Sequence, residues 1–214
     1  MWGTSFTCMK CSGHARKKSL AQCDGELVQI VNVALADATS RSGEWLLCRP
    51  GCSQCCHGVF SISQLDALRL RTGLEQIDPA RAARVRERAR ESMARIGPQF
   101  PGNPLTGILG EDEHQTNFEE YANDEPCPAL DPATGMCDLY EFRPMTCRVF
   151  GPAVRVDGGY SVCELCFQGA TPEQIASCEM VPDPAGLEDR LIEEAESSTG
   201  LHGQTIVAFC LARS

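Results

Sequence analysis

Nine cysteines in two separated runs dominate the chemistry open to this 214-residue chain. The first run reads Cys48-x3-Cys52-x2-Cys55-Cys56, four thiols within nine residues. Two cysteines with two residues between them let a tight turn aim both sulfurs at one metal, the spacing of zinc knuckles and iron–sulfur loops. Cys55 and Cys56 are expected to point apart, as neighbours in an extended segment do, and so to serve two metals or two corners of one cluster. The second run reads Cys127-x9-Cys137-x9-Cys147, then Cys163-x2-Cys166. Asp131, Pro132 and Gly135 predict a turn that folds Cys127 and Cys137 together like a hairpin. Four thiols from the first run form one set. Cys127, Cys137 and Cys147 with Cys163 or Cys166 form another. Such sets would fill two four-coordinate sites, or one cluster and one metal ion. A metal held by four thiolates keeps net negative charge. Arg49, Arg143 and Arg148 stand beside these cysteines and could offset it, with Arg143 and Arg148 read as residues that bind the cofactor. For Arg143 the competing expectation is an ion pair with Asp138 or Glu141.

The elements that must position these thiols read as helices. Leu20, Leu27, Ile30, Val31, Ala34, Leu35 and Ala38 recur at helical spacing over 19–42, and Gly43 offers a cap. A second helix is predicted from Ser63, with Asp66 in its first turn and Gly73 at its end. A third runs from Asp78 and Pro79 to Gly97-Pro98 and carries six arginines between Arg81 and Arg95. Those arginines read as a solvated face docking the acidic stretch Glu111 to Glu125. A last helix is expected near 185–198, and TIVAFCL is either strand or helical turn. The fold class is mainly α and irregular: a small, cysteine-rich, metal-centred single domain with little sheet. Trp45, Phe60, Tyr140, Phe142 and Phe150 are expected to cover the thiolates.

Composition narrows the function classes. Net charge is -10, which disfavours nucleic-acid partners, since those demand phosphate neutralisation. The chain holds 14 cysteines, and its start has no apolar h-region, so reduced thiols and metal chemistry in a cytoplasmic setting are expected over a disulfide scaffold. No apolar run is long enough to span a membrane. Residues 1–22 form an N-terminal extension in which Cys8, Cys11 and His14, with Cys23, have knuckle-like spacing; residues 23–214 form the metal-binding domain. His57 reads as a polar loop residue. Cys178 and Cys210 read as spare, with Cys178 also placed to join the Cys163/Cys166 pair.

Cys48, Cys52, Cys55 and Cys56, followed by Cys137-x2-Tyr140-x2-Arg143-Pro144-x2-Cys147-Arg148, resemble the YkgJ-type cysteine-cluster family, a CxxCxxCC zinc- or iron-chelating domain. The resemblance covers 45–170. It implies a metal centre, either an iron–sulfur cluster (a four-iron four-sulfur cluster among the options) or zinc or iron ions. It also implies an iron–sulfur oxidoreductase with a redox or protein partner; a zinc-stabilised binding or scaffold module is the alternative. The motif is similar to that of flagellin lysine N-methylases, but no Gly-rich loop follows a predicted strand to cradle a nucleoside cofactor. Cys48-x3-Cys52-x2-Cys55 also matches radical S-adenosylmethionine enzymes, against which Cys56 would close the open iron and Gln54 replaces the usual aromatic.

Overall fold

A computed structural model describes residues 18–110 and 121–213; Cys8, Cys11 and His14 lie outside them, as does much of the acidic stretch. Among the described residues the chain is mainly helical: α1 Leu20–Ser42, α2 Gln64–Gln76, α3 Pro79–Ile96, α4 Met145–Val149, α5 Pro172–Ser177, α6 Leu187–Thr199 and α7 Val207–Ala212. Sheet is confined to two antiparallel pairs. β1 (Ser61–Ile62) pairs with β4 (Thr205–Ile206), with Ser61 opposite Ile206, and β2 (Val154–Val156) pairs with β3 (Gly159–Ser161). No described helix is long and apolar enough to cross a membrane.

Local chemistry explains the helix ends. Ser19 accepts from Gln22 N–H, and the Gln22 side chain answers in a capping box; Ser63 and Asp78 cap α2 and α3 by accepting from Asp66 and Arg81 N–H. Gly200 closes α6 in the left-handed conformation. Gly73 does not end α2, which runs three residues further. A Cβ at Gly73 would lie 2.5 Å from Phe142 Cγ, so the glycine is there for close approach. TIVAFCL divides, its first two residues extending as β4 and the rest coiling as α7.

Two main cores follow. Ile62, Leu70, Leu74, Val85, Leu139 and Leu211 join α2, α3 and α7. Leu27, Val31, Leu65, Met145, Met180 and Leu191 join α1, α2, α4 and α6. A satellite of Leu46, Ala153, Cys163, Cys166, Phe167 and Cys178 sits beyond α1. The arginine face of α3 is mostly spoken for: Arg88 and Arg81 both reach Asp138, Arg95 reaches Glu125, and Arg90 reaches Glu87. The Arg95–Glu125 pair is the described part of the expected acidic docking.

A buried triad ties the scaffold to the cysteine segment. Asp66 and Arg69 are 3% and 6% exposed. Arg69 bonds Asp66 at 2.5 Å and grips Asp24 of α1 through Nε and Nη2 at 3.0 and 2.5 Å. Asp66 also accepts from Met145 N–H at 3.0 Å, which fixes the start of α4. Losing one member of such a network leaves an uncompensated buried charge.

Gly73→Ala should destabilise the chain by about 1–3 kcal/mol, because overpacking against Phe142 outweighs a helix-propensity gain of about 1 kcal/mol; urea denaturation reads the sign. Glu188, in the first turn of α6, has its pKa raised to about 7 by burial and by the neighbouring Asp66. Its folded value lies above its unfolded one, so its stabilising contribution is complete below pH 4.5 and is lost as pH rises through 7. Glu188→Gln should match the parent's melting temperature at pH 5 and exceed it at pH 8.

Candidate metal centre

A backbone zipper brings the two cysteine runs together. Cys127 N–H donates to Cys56 C=O at 2.7 Å, Gly58 N–H to Glu125 C=O at 3.0 Å, and His57 bridges Pro126. Gly58 lies at φ +90°, and a Cβ there would stand 2.9 Å from the Asn123 carbonyl oxygen. The expected hairpin between Cys127 and Cys137 is present. Leu130 bridges Cys137, Asp138 N–H donates to Ala129 C=O at 2.7 Å, and Asp131 accepts from Ala133 N–H and Thr134 Oγ1 across the turn. Cys147 rides on α4, anchored through Met145 to Asp66. The Cys163–Cys166 loop closes by Cys166 N–H to Cys163 C=O at 2.8 Å, and Phe167 N–H reaches Trp45 C=O.

Seven thiols line one cavity of about 310 Å³: Cys48, Cys52, Cys55, Cys56, Cys127, Cys137 and Cys147. Arg49, Arg143 and Arg148 share its wall with Phe60, Leu70, Tyr140 and Val207, and no described His, Asp or Glu lines it. Cys163 and Cys166 are buried behind Cys48 in the satellite core. The grouping therefore differs from a division by sequence runs. Cys127, Cys137, Cys147 and Cys55 perturb one another, while Cys48 feels Cys52, Cys55, Cys166 and Cys163. Runs close in sequence are interleaved in space, because the zipper delivers Cys55 to the second run and leaves Cys48 at the first loop's far end.

Cys55 and Cys56 do not point apart. They sit in a 3-10 turn over Gln54–Cys56, not in an extended segment, and the Cys56 side chain is close enough to raise the Cys55 thiol. Phe150 is 43% exposed and does not cover the thiols, and Cys48 keeps an exposed face. Arg143 pairs with neither Asp138 nor Glu141: it donates to Tyr140 C=O at 2.8 Å with its guanidinium 3.9 Å over the Tyr140 ring, and Asp138 is taken by α3. His57 is exposed and faces away from the cavity lining.

Burial pushes the Cys48 thiol up to about 11 and the Cys127 thiol up to about 12, and it raises Cys137, Cys147 and Cys166; the neighbouring Cys56 side chain raises Cys55. Thiols raised in this way are poor nucleophiles. Several are already arranged for the thiolate. Nearby backbone N–H groups favour the thiolate of Cys127 (Ala129 and Leu130), of Cys137 (Leu139) and of Cys166 (Leu47 and Cys48). Cys178 and Cys210 behave oppositely, donating to the carbonyls of Arg41 and Ala67, as structural thiols do. This sorting by hydrogen-bond role is not visible in spacing. Arg148 is 2% exposed; its Nη1 and Nη2 donate to Asn32 Oδ1 and Glu141 C=O, its Nε has no partner, and burial lowers its pKa to about 10.

Among the described residues no three Cys, His, Asp or Glu side chains converge tightly enough to hold a single ion as they stand. Soft thiolates of this number suit zinc, iron or iron–sulfur chemistry. A helical scaffold holding a thiol-lined hollow defines a cysteine-cluster chelating domain. Residues 47–167, more than half of the chain, match the family model CxxCxxCC, described as "Putative zinc- or iron-chelating domain", and the chain belongs to that family. Metal binding is the function this membership carries. No curated protein and no solved structure matches the chain.

Gly151 closes the outer corner. A Cβ there would stand 2.5 Å from Cys48 Cβ and 3.0 Å from its sulfur. Gly151→Ala should lower metal content per chain while leaving helical circular dichroism unchanged.

Proposed function

We propose that Cys48, Cys52, Cys55, Cys56, Cys127, Cys137, Cys147, Cys163 and Cys166 supply the ligands of a polynuclear metal–thiolate centre, an iron–sulfur cluster being the form that fits best. The size of the hollow carries this reading. A single tetrahedral ion with Zn–S bonds of about 2.3 Å draws four sulfurs to within about 4 Å of one another and leaves no space between them. Here seven thiols stand around about 310 Å³, roughly twenty times the room one water needs. Inorganic sulfide and several metals would occupy such a space. Of these nine, Cys55, Cys127, Cys137 and Cys147 would form an inner set, Cys48 and Cys52 with Cys163 and Cys166 an outer one, and Cys56, next to Cys55, would stand between the two.

The chemistry such a centre supplies is electron transfer. With no carboxylate or imidazole on the described wall, proton abstraction has no agent there, and an oxidoreductase role passing electrons through the exposed Cys48 corner suits the site better than group transfer. The same bare wall also favours a second reading, a zinc-stabilised binding module without catalysis.

Anaerobic purification followed by metal and acid-labile sulfide analysis separates the two. Iron with sulfide and a visible chromophore supports the cluster; about two zinc ions per colourless chain would retire it. Cys127→Ser should lose metal and fold stability together, because binding is coupled to folding, whereas Cys210→Ser should keep full metal content. Metal retained in Cys127→Ser would remove that thiol from the centre.

A further inference from the structure

Three arginines line the cavity wall, and two of them, Arg143 and Arg148, are withdrawn from solvent without forming an ion pair among the described residues. Arg148 is 2% exposed, yet its bonds go to neutral acceptors, the Asn32 amide oxygen at 2.9 Å and the Glu141 carbonyl at 2.6 Å. Arg143 lies beside it, bonded to the Tyr140 carbonyl and stacked on the Tyr140 ring. Among the described residues neither forms an ion pair, although carboxylates elsewhere take Arg69, Arg81, Arg88 and Arg95. Burying a guanidinium without an anion is costly, and leaving a buried N–H donor unmade adds to the cost. Arg148 does both, since its Nε has no partner. Glu141 and Asp24 act on Arg148 only at a distance, without an ion pair. On the wall itself the source of negative charge is the thiolate set: Arg143 acts on Cys55 and Cys137, and Arg148 directly follows Cys147.

We infer that Arg148 is the built-in counter-cation of the inner thiolate set, its Nε donating to a sulfur of the loaded centre, so that the site selects a centre of net negative charge and is electrostatically unbalanced without one. This inference rests on the metal–thiolate reading above. Four thiolates on a zinc ion carry a net charge of -2, and the usual four-iron clusters ligated by four thiolates are also anionic, so either occupant would be balanced by Arg143 and Arg148 together. Arg148 is in this account a positioning residue: it holds charge and a hydrogen bond at the sulfur and provides no ligand.

The test is anaerobic cobalt(II) titration of the full chain, followed by its sulfur-to-cobalt charge-transfer band and against a competing chelator, with melting curves of the metal-free and loaded forms. Arg148→Gln should weaken cobalt binding roughly 10- to 100-fold, shift the charge-transfer band, and lower the melting temperature of the loaded form more than that of the metal-free form. Asn32→Ala, which cuts an anchoring bond but keeps the charge, should stay within about threefold of the parent. Parent-like affinity in Arg148→Gln, or equal destabilisation of both forms, overturns the inference and leaves Arg148 a strut between α1 and Glu141. Should Arg148→Gln fail to fold, Arg148→Lys decides: it keeps the cation but lacks Nε, so an intermediate loss is expected and parent-like affinity is fatal. A parent chain that takes up neither cobalt nor, on anaerobic reconstitution, iron with sulfide would sink the metal reading itself.

Discussion

A hollow of about 310 Å³ walled by thiols is the constraint that organises the rest of this molecule. Packed interiors close such spaces, whereas this one stays open and reaches solvent at the Cys48 corner. The walls add their own cost, because thiols stand beside the buried Arg148 and the half-buried Arg143, neither of which has an ion-paired carboxylate among the described residues. On the reading proposed above, space, soft donors and unpaired guanidiniums all call for the same occupant, an anionic metal–thiolate centre. The family's zinc- or iron-chelating description is consistent with that demand and does not by itself choose between the metals.

Helices hold the frame, and turns hold the ligands. The apolar faces of α1, α2, α3, α6 and α7 bury most of the aliphatic core, and none of the cavity thiols except Cys147 sits on a helix. The other six lie on turns, and at Cys55, Cys127 and Cys137 backbone N–H groups favour the thiolate. Asp66 couples frame to turns, since one carboxylate receives both the Arg69 guanidinium and the N–H that begins α4. A rigid frame with short turns is the arrangement in which ligands keep their positions while the occupant is absent.

Helix ends were legible because their causes are local. Ser19, Ser63 and Asp78 each cap within three residues, so they read directly from the chain. The thiols themselves were legible by count and type. Their grouping was not, because it depends on the Cys56–Cys127 zipper, a contact across seventy-one residues with no spacing signal. Gly73 misled for the same reason: its partner Phe142 is distant in sequence. The β2–β3 hairpin had a local signal that the cysteines overshadowed. Asp157-Gly158 between Val154–Val156 and Gly159–Ser161 is a two-residue hairpin turn, with Gly158 at φ +87°.

The segment Cys137-x2-Tyr140-x2-Arg143-Pro144-x2-Cys147-Arg148 is explained residue by residue as a device for placing charge beside sulfur. Tyr140 offers a ring face and a carbonyl, and both hold Arg143 against the cavity wall. Pro144 stands at the start of α4 with extended backbone, which lets Met145 N–H turn to Asp66 and not to the preceding turn. That start sets the rotation of a five-residue helix on which Cys147 faces the cavity and Arg148 is clamped between Asn32 and Glu141. A motif of ligands alone would need only the cysteines. The extra residues here hold the two guanidiniums in place, which under the inferred counter-cation role would specify the charge of the occupant as well as its attachment.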